Sequence, residues 1–599
     1  MRRAARALLA AGAALPLCAA GAQAAPATTT PIRHLIVVIG ENQTFDALFA
    51  TWKPANGARV NNLLSEGIVE ADGSPGPNFA RALQRRGEPT PHYSIDPPRG
   101  AAYPYLPRPT LIGVKDLQFK DVGMGADPRF PADLPAGPFP ISRYAPYPRE
   151  HSAPTLAVSG QAMSAATGDP MHRFFQMWQQ CGIENRDLGL YTWVAVTAGM
   201  GGDTAGVLPG ATGQGGELMG FLNMAEGDAP YFRALANGYA SSDNYHQPMM
   251  GGTAMNFFML VSGDLPYYEL AGRAALPPAN QIENPDPAPG SENFYRRDGY
   301  EGGSYVNCAD RDSPGVAGIL DLLDSRRVAS RCEAGHWYLV NNLAAGFDLD
   351  GHPQPLGPDN YNYPPQSVAT IADALAAHGV SWKWYIGARD RGDLQIEMRT
   401  LHLSLEAARR AQYNNDGDPL VASSATMTNR MQRARLQGLQ SFYDDLEHDT
   451  LPQVSFVVPK ARDSGHPGFS VIANYENLLR DLVARVQARP ELWAHTAIVA
   501  TTDEGGGGFD SGYIQLLDFF GDGPRVPLLV ISPFARRGHV DHTYNDHVSI
   551  LKFIERNWRL APLSTRSRDN LPDPDADPAD PYRPVNGPAI GDLMTLFDF

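Results

Sequence analysis

The chain is predicted to be an α/β protein, with a mainly parallel central sheet flanked by helices and interrupted by long loop insertions. Three observations lead there. In the second half, short apolar or β-branched runs bounded by Gly, Pro or Asp alternate with amphipathic stretches. Strands that alternate with helices imply a parallel sheet covered on both faces. Two such runs, His34–Gly40 and Thr496–Thr502, lie far apart in sequence yet both end in oxygen-bearing pairs, Glu41-Asn42 and Asp503-Glu504. In open α/β sheets ligands collect at the carboxyl ends of strands. Finally, 599 residues that are 43% hydrophobic and 19% charged supply a large core.

Residues 1–24 read as a signal peptide. Arg2, Arg3 and Arg6 form its charged region, Leu8 to Leu17 its apolar stretch, and Ala22-Gln23-Ala24 its cleavage pattern. This predicts an exported protein, periplasmic or extracellular. No stable membrane anchor is expected, because no later segment is long and apolar enough to span a bilayer.

Residues 31–560 read as one large domain with insertions. His34–Gly40 is the first core strand. The stretch from about Gly57 to Tyr147 is rich in Pro, Gly and Arg and reads as a long excursion. A helix starts within Met171 to Gln180, Ala198 to Leu218 is Gly-rich and loop-like, and a second excursion runs from Leu276 to Ser313. Strands are then expected at His336–Asn341, Ser381–Ile386, Val454–Val458, Thr496–Thr502 and Val526–Ile531. Ile371–His378 and Glu476–Val486 are amphipathic helices. A final helix over Val548–Trp558 places Ile550, Leu551, Ile554 and Trp558 on one side.

Residues 561–599 read as a Pro/Asp-rich C-terminal tail, and Asp573 to Pro578 within it has no core potential. Beyond the signal peptide, Cys308 and Cys332 flank one segment and can pair in an oxidising compartment. Alternatively, both remain buried thiols along with Cys181.

A net charge of −16 argues against a nucleic-acid partner, which needs a basic surface. It leaves phosphate substrates open, because a local metal inverts the field at a site. Glu41-Asn42 alone, or Asp503-Glu504 alone, fits strand-end turn chemistry. Together, oxygen ligands converging from separate strands suit one hard divalent cation. Gly505 to Gly508 allow backbone to pack closely around such a site.

Thr253 follows Gly251-Gly252 and precedes a helix expected from Asn256. A hydroxyl there, next to a metal, can act as a nucleophile, and helix-start N–H groups favour phosphate. The plainer reading is a helix N-cap. His172, His466 and His547 stand at loop–element junctions, where each can stabilise a phosphoryl oxygen or protonate a leaving group. Asn256 and His246, from the Thr253 segment, are assigned as substrate contacts.

Several stretches together resemble the bacterial phosphoesterase family that contains phospholipases C and acid phosphatases and is similar in fold to alkaline phosphatase. They are Glu41-Asn42-Gln43-Thr44-Phe45-Asp46, Gly251 to Asn256, Asp503-Glu504-Gly505-Gly506-Gly507 with Asp510, and Arg525-Val526-Pro527 through Ile531-Ser532-Pro533. His466 and His547 lie in the family's histidine-bearing segments.

The resemblance implies metal-assisted phosphoryl transfer. Glu41, Asn42, Asp503 and Glu504 would hold one divalent metal ion, Thr253 matches the Ser/Thr nucleophile, and His172, His466 and His547 would orient phosphate or leaving group. Gln43 stands where the family usually has arginine. Ala254-Met255 and the segment Gly168 to Gln176 look closer to the acid-phosphatase branch.

The expected function is therefore a secreted metal-dependent phosphoric-ester hydrolase with a phospho-threonine intermediate and broad, acid-phosphatase-like specificity for small phosphomonoesters. A phospholipase C acting on phospholipid is the alternative, and a non-catalytic binding protein is the rival from another class. For a lipid, Met249, Met250, Met255, Phe257 and Phe258 can form an apolar entrance, although the same stripe also fits a core.

Overall fold

The computed structural model describes residues 26–116, 120–123, 125–148, 166–170, 172–183, 187–198, 215–297 and 303–599. The expected signal peptide lies outside these residues. Eight strands form the central sheet: β1 (His34–Gly40), β2 (Ala240–Ser242), β3 (Trp382–Ile386), β4 (Leu436–Gly438), β5 (Val454–Val458), β6 (Thr496–Thr502), β7 (Leu528–Ile531) and β8 (Val540–Asp541). Their spatial order is β4-β3-β5-β1-β6-β7-β2-β8. Neighbours from β4 to β6 are parallel, as are β2 and β8. β7 runs against both of its neighbours, so the sheet is mixed but mostly parallel.

Alternation along β1 explains its continuous apolar sequence. Leu35, Val37 and Ile39 enter one core, while Ile36 and Val38 enter the other. The first core holds two helices, α1 (Thr253–Ser262) and α3 (Val548–Trp558), through side chains such as Phe257, Phe258, Ile550 and Leu551. The second is closed by α2 (Ile472–Gln487), which contributes Leu479, Leu482, Val483 and Val486.

The long apolar runs fold where the sequence places them. The expected core strand His336–Asn341 does not. Only Tyr338–Leu339 pairs, antiparallel to Tyr305–Val306 and outside the central sheet. Its last residues instead make side-chain bonds to neighbouring loops, described below. β2, β4 and β8 escape sequence reading because each has only two or three residues in the ladder. The helix expected from Asn256 starts earlier, at Thr253, because Gly252 is already its extended cap residue.

Cys308 and Cys332 form a disulfide with Cα atoms 5.6 Å apart, and Cys181 remains a buried thiol. Asp573 to Pro578 stays exposed or half-buried, but the residues around it pack against the domain. Ile590, Leu593 and Leu596 join the core, and the Arg568 guanidinium donates to Asp518 and Asp522. Among the described residues, no helix is long and apolar enough to cross a membrane. Met249, Met250, Met255, Phe257 and Phe258 are fully buried core, so the apolar-entrance reading of that stripe is corrected.

One buried cation gathers the loops at the site end of the sheet. Arg525 Nε donates to Asp510 Oδ2 at 2.9 Å, and Nη2 donates to Asp46 Oδ2 at 3.1 Å and Asp510 Oδ1 at 3.0 Å. Nη1 donates to the carbonyls of Asn61 and Asp243 at 2.7 and 3.0 Å. Loops that follow β1, β2 and β6 are thereby tied to the segment entering β7. Replacing Arg525 by Ala strands two buried carboxylates, so a loss of about 3–5 kcal/mol is expected in urea denaturation. A midpoint equal to the parent's would show that the loops are held by something else.

Candidate active site

β1 and β6 pair in register to their last residues, Gly40 opposite Thr502. Glu41-Asn42 and Asp503-Glu504 therefore leave the sheet side by side. Asn42 adopts the left-handed conformation at φ 57°, which asparagine tolerates better than most residues. That turn aims its N–H at Asp503 Oδ1, 3.1 Å away. Gly506 must be glycine here, because a Cβ would come within 2.6 Å of Asn42 Cβ. Its N–H is held by Glu504 Oε2 at 2.8 Å.

His466 and His172 close the cluster. Each ring donates Nδ1–H to a proline carbonyl at 2.6 Å, His466 to Pro467 and His172 to Pro170. A carbonyl can only accept, so in both neutral rings Nε2 carries the lone pair. His466 Nε2 accepts from Asn42 Nδ2 at 3.0 Å, and His172 Nε2 lies 3.4 Å from Glu504 Oε1. Burial lowers the pKa of both rings, His172 to about 4. Asp169, His172 and His466 also present ligand atoms within 4.8 Å of one another, close enough to hold a metal ion.

Thr253 is the first residue of α1 and is buried. Its hydroxyl does not cap the helix, so the N-cap reading gives way to another. Burial raises the pKa of the Asp503 carboxyl, and backbone N–H groups and the Thr253 hydroxyl offset this only in part, while Asp503 Oδ2 has no hydrogen-bond partner. Asn342 Oδ1 accepts from Ala254 N–H at 3.0 Å and fixes the helix start.

The electrostatics of the cluster are unbalanced. Burial raises Asp503 and Asp416 to about 7 and Asp169 to about 6. Burial and then the charge of Asp503 push Glu41 and Glu504 well above the usual carboxylate range. Asn42 Oδ1, Asp169 Oδ1, Asp503 Oδ2 and Glu504 Oε1 are buried without hydrogen-bond partners. Buried polar atoms are rarely left this way. Orphaned oxygens and imidazole lone pairs in one place fit a divalent cation.

Other predicted residues are placed elsewhere. His547 donates Nε2–H to the Asp503 carbonyl at 2.6 Å and accepts from Tyr245 Oη at 2.8 Å, so it positions the β6 end. Burial brings its pKa to about 4. His246 has both ring nitrogens engaged, with the Gly523 carbonyl and Asn244 Oδ1, and it stacks on Tyr544. Asn256 is fully buried, donates to the Gly251 and Gly252 carbonyls and accepts from Met249 N–H. Both assignments as substrate contacts are corrected: Asn256 braces the turn that presents Thr253, and His246 is committed to the fold.

Sequence reasoning missed Asp169, Asn414 and Asp416. Asn414 donates to Glu41 Oε1. The oxygen-rich turn Asn414-Asn415-Asp416-Gly417-Asp418 was the available signal. A cavity of about 110 Å³ adjoins the cluster, with Asn42, Gly465 and Gly506 on one wall and Ile141, Tyr147, Leu222 and Ile472 among its apolar walls.

The Phosphoesterase family model matches residues 118–561. Hemolytic phospholipase C of Pseudomonas aeruginosa is 24% identical over 413 residues, 64% of this chain and 43% of that protein. A probable acid phosphatase of Kluyveromyces lactis is 24% identical over 217 residues, 36% of this chain and 47% of that protein. The chain thus spans less than half the length of these two curated relatives. Among solved structures, a protein in the alkaline phosphatase superfamily from Vibrio parahaemolyticus overlaps 57% of this chain and 62% of its own, with a TM-score of 0.24 and 9% identity. Overlap at that level says nothing about the site.

The brace around Thr253 is testable. Asn256→Ala leaves the buried Met249 N–H unpaired and removes one of the donors to each of the Gly251 and Gly252 carbonyls, and a loss of about 1–3 kcal/mol is expected in denaturant unfolding. Unchanged stability would contradict the bracing role.

Proposed function

The chain belongs to the Phosphoesterase family, and we propose that it is an exported, metal-dependent phosphoric-ester hydrolase that works through Thr253. The observation that carries this reading is the set of four unpartnered buried oxygens beside a threonine hydroxyl at a helix start. Asn42, Asp169, His172, His466, Asp503 and Glu504 would hold one divalent ion, with Glu41 and Asp416 adding negative charge beside them. When bound, the ion supplies Lewis-acid polarisation of a phosphoryl oxygen and favours ionisation of a neighbouring hydroxyl.

The chain's own groups do the rest. Thr253 Oγ1 loses its proton and attacks phosphorus as the ester P–O bond breaks. Water then releases phosphate from the phospho-threonine. His172 and His466 direct lone pairs inward, and His547 holds the Asp503 backbone in place.

A small cavity and a methionine stripe buried in the core favour compact phosphomonoesters, the broad acid-phosphatase-like reading. The apolar wall of Ile141, Tyr147, Leu222 and Ile472 supports phospholipase C as the second reading. Comparing 4-nitrophenyl phosphate with 4-nitrophenyl phosphorylcholine separates the two.

Thr253→Ala is expected to lower kcat by at least about 10³-fold with folding intact. Chelation is expected to abolish activity, and a divalent ion to restore it. A folded Thr253→Ala variant with substantial turnover would sink the nucleophile, and activity indifferent to chelators would sink the metal.

A further inference from the structure

An alkyl phosphate cannot lose its alcohol readily unless a proton reaches the departing oxygen, and the histidines do not carry one to it. His172 and His466 spend their N–H on proline carbonyls. His547 spends its N–H on the Asp503 carbonyl. The oxygens of Asp169, Asp503 and Glu504 that face the cluster belong to the cation-binding set proposed above.

Glu41 and Asp416 stand directly beside that set, with Glu41 accepting from the Asn414 amide, and one further buried carboxyl faces the adjoining cavity. Glu217 lines the cavity beside the cluster and is its only carboxylic acid among the described lining residues. It is 5% exposed, and its Oε2 has no hydrogen-bond partner. The other end is fixed by the backbone: N–H groups including that of Gly168 hold the carboxyl. Gly168 lets the carboxyl sit close to the backbone, since a Cβ there would lie 2.7 Å from Glu217 Oε1 and 3.0 Å from the Ile112 carbonyl. The carboxyl is thus seated against the chain one residue before Asp169, while Asn42 and Gly506 face the same cavity.

We propose that Glu217 is the general acid of this reaction. The assignment rests on the ester-hydrolase reading above. As the bond from Thr253 Oγ1 to phosphorus forms and the P–O bond to the alcohol breaks, the Glu217 proton passes to the alcohol oxygen. The Glu217 carboxylate then takes a proton from the attacking water. The resulting hydroxide oxygen bonds to phosphorus, the electrons of the Thr253 Oγ1–P bond return to Oγ1, and the acid is regenerated. The original Oγ1 proton goes to solvent once and is not needed again.

Burial supports this cycle by holding the carboxyl well above the usual range, which favours the protonated acid. A carboxyl in an apolar pocket beside an ionised cluster is an established way to keep an acid available.

The test uses the full protein and two esters. 4-Nitrophenyl phosphate loses nitrophenolate without a proton, whereas ethyl phosphate does not lose ethoxide that way. In Glu217→Gln, kcat/KM on ethyl phosphate is expected to fall about 10²-fold or more relative to its value on 4-nitrophenyl phosphate. Equal falls on both esters would mean a structural role and overturn the proposal. Partial misfolding lowers both rates alike and does not mimic the change in ratio.

A measurement on the unmodified protein serves if the variant fails to fold. Across aryl and alkyl phosphates, kcat/KM is expected to depend weakly on leaving-group basicity, and a steep fall overturns the assignment. If the unmodified protein hydrolyses none of these esters, the ester-hydrolase reading fails and this one falls with it. Turnover with an unchanged ratio removes Glu217 alone.

Discussion

Parallel pairing of β1 with β6 to their final residues is the constraint on which the site depends. Two strands that end level must release their next residues at one edge, and here those residues are Glu41-Asn42 and Asp503-Glu504. The left-handed turn at Asn42 and the glycines after Glu504 let the chains diverge without separating their side chains. The sheet spends ordinary hydrophobic burial to force like charges together, an arrangement that neither side-chain pair favours by itself.

Comparison with the other buried acids shows how unusual that cluster is. Asp46 and Asp510 are answered by Arg525, and Asp518 and Asp522 by Arg568, with charge-assisted bonds in both cases. At the strand ends, burial raises the pKa of Asp169 and Asp416, and His466 beside Asp169 and the Arg173 charge beside both offset it only in part. Glu41, Asp503 and Glu504 are governed by burial, neighbouring carboxylates and hydrogen bonds. Arg525 and Arg568 answer Asp46, Asp510, Asp518 and Asp522, whereas Glu41, Asp503 and Glu504 crowd together with no arginine or lysine among the described residues bonded to them. That asymmetry, more than the number of carboxylates, argues for an added cation.

Sequence legibility follows the range of the forces involved. β1, β5, β6 and α3 were readable because each carries its own apolar pattern. β2, β4 and β8 were not, because two or three residues acquire strand geometry only from a neighbour already in place. In the site, Glu41, Asn42, Asp503 and Glu504 could be read as strand-end pairs, and Thr253 from its glycines. Asp169, Asn414 and Asp416 sit in loops whose approach to the strands no local pattern encodes. Asn256 and His246 misled for the opposite reason. Polar side chains near a nucleophile look functional until their hydrogen bonds are traced to backbone.

The failed strand at His336–Asn341 completes the physical account. Its final amide, Asn341, accepts from Phe174 N–H at 3.1 Å and donates to Glu283 at 2.7 Å, fixing the helix that begins just after His172. The next residue, Asn342, accepts from Ala254 N–H and fixes the helix that begins at Thr253. Two adjacent amides therefore set the distance between an inward-facing imidazole and the proposed nucleophile. The segment before them pairs with Tyr305–Val306, and the Cys308–Cys332 disulfide ties that excursion to the chain just ahead of the segment. A regular strand at this place would turn successive side chains to opposite faces of a sheet. The irregular segment instead uses both amides on helix starts, which explains why an apolar run ending in two asparagines does not continue the sheet.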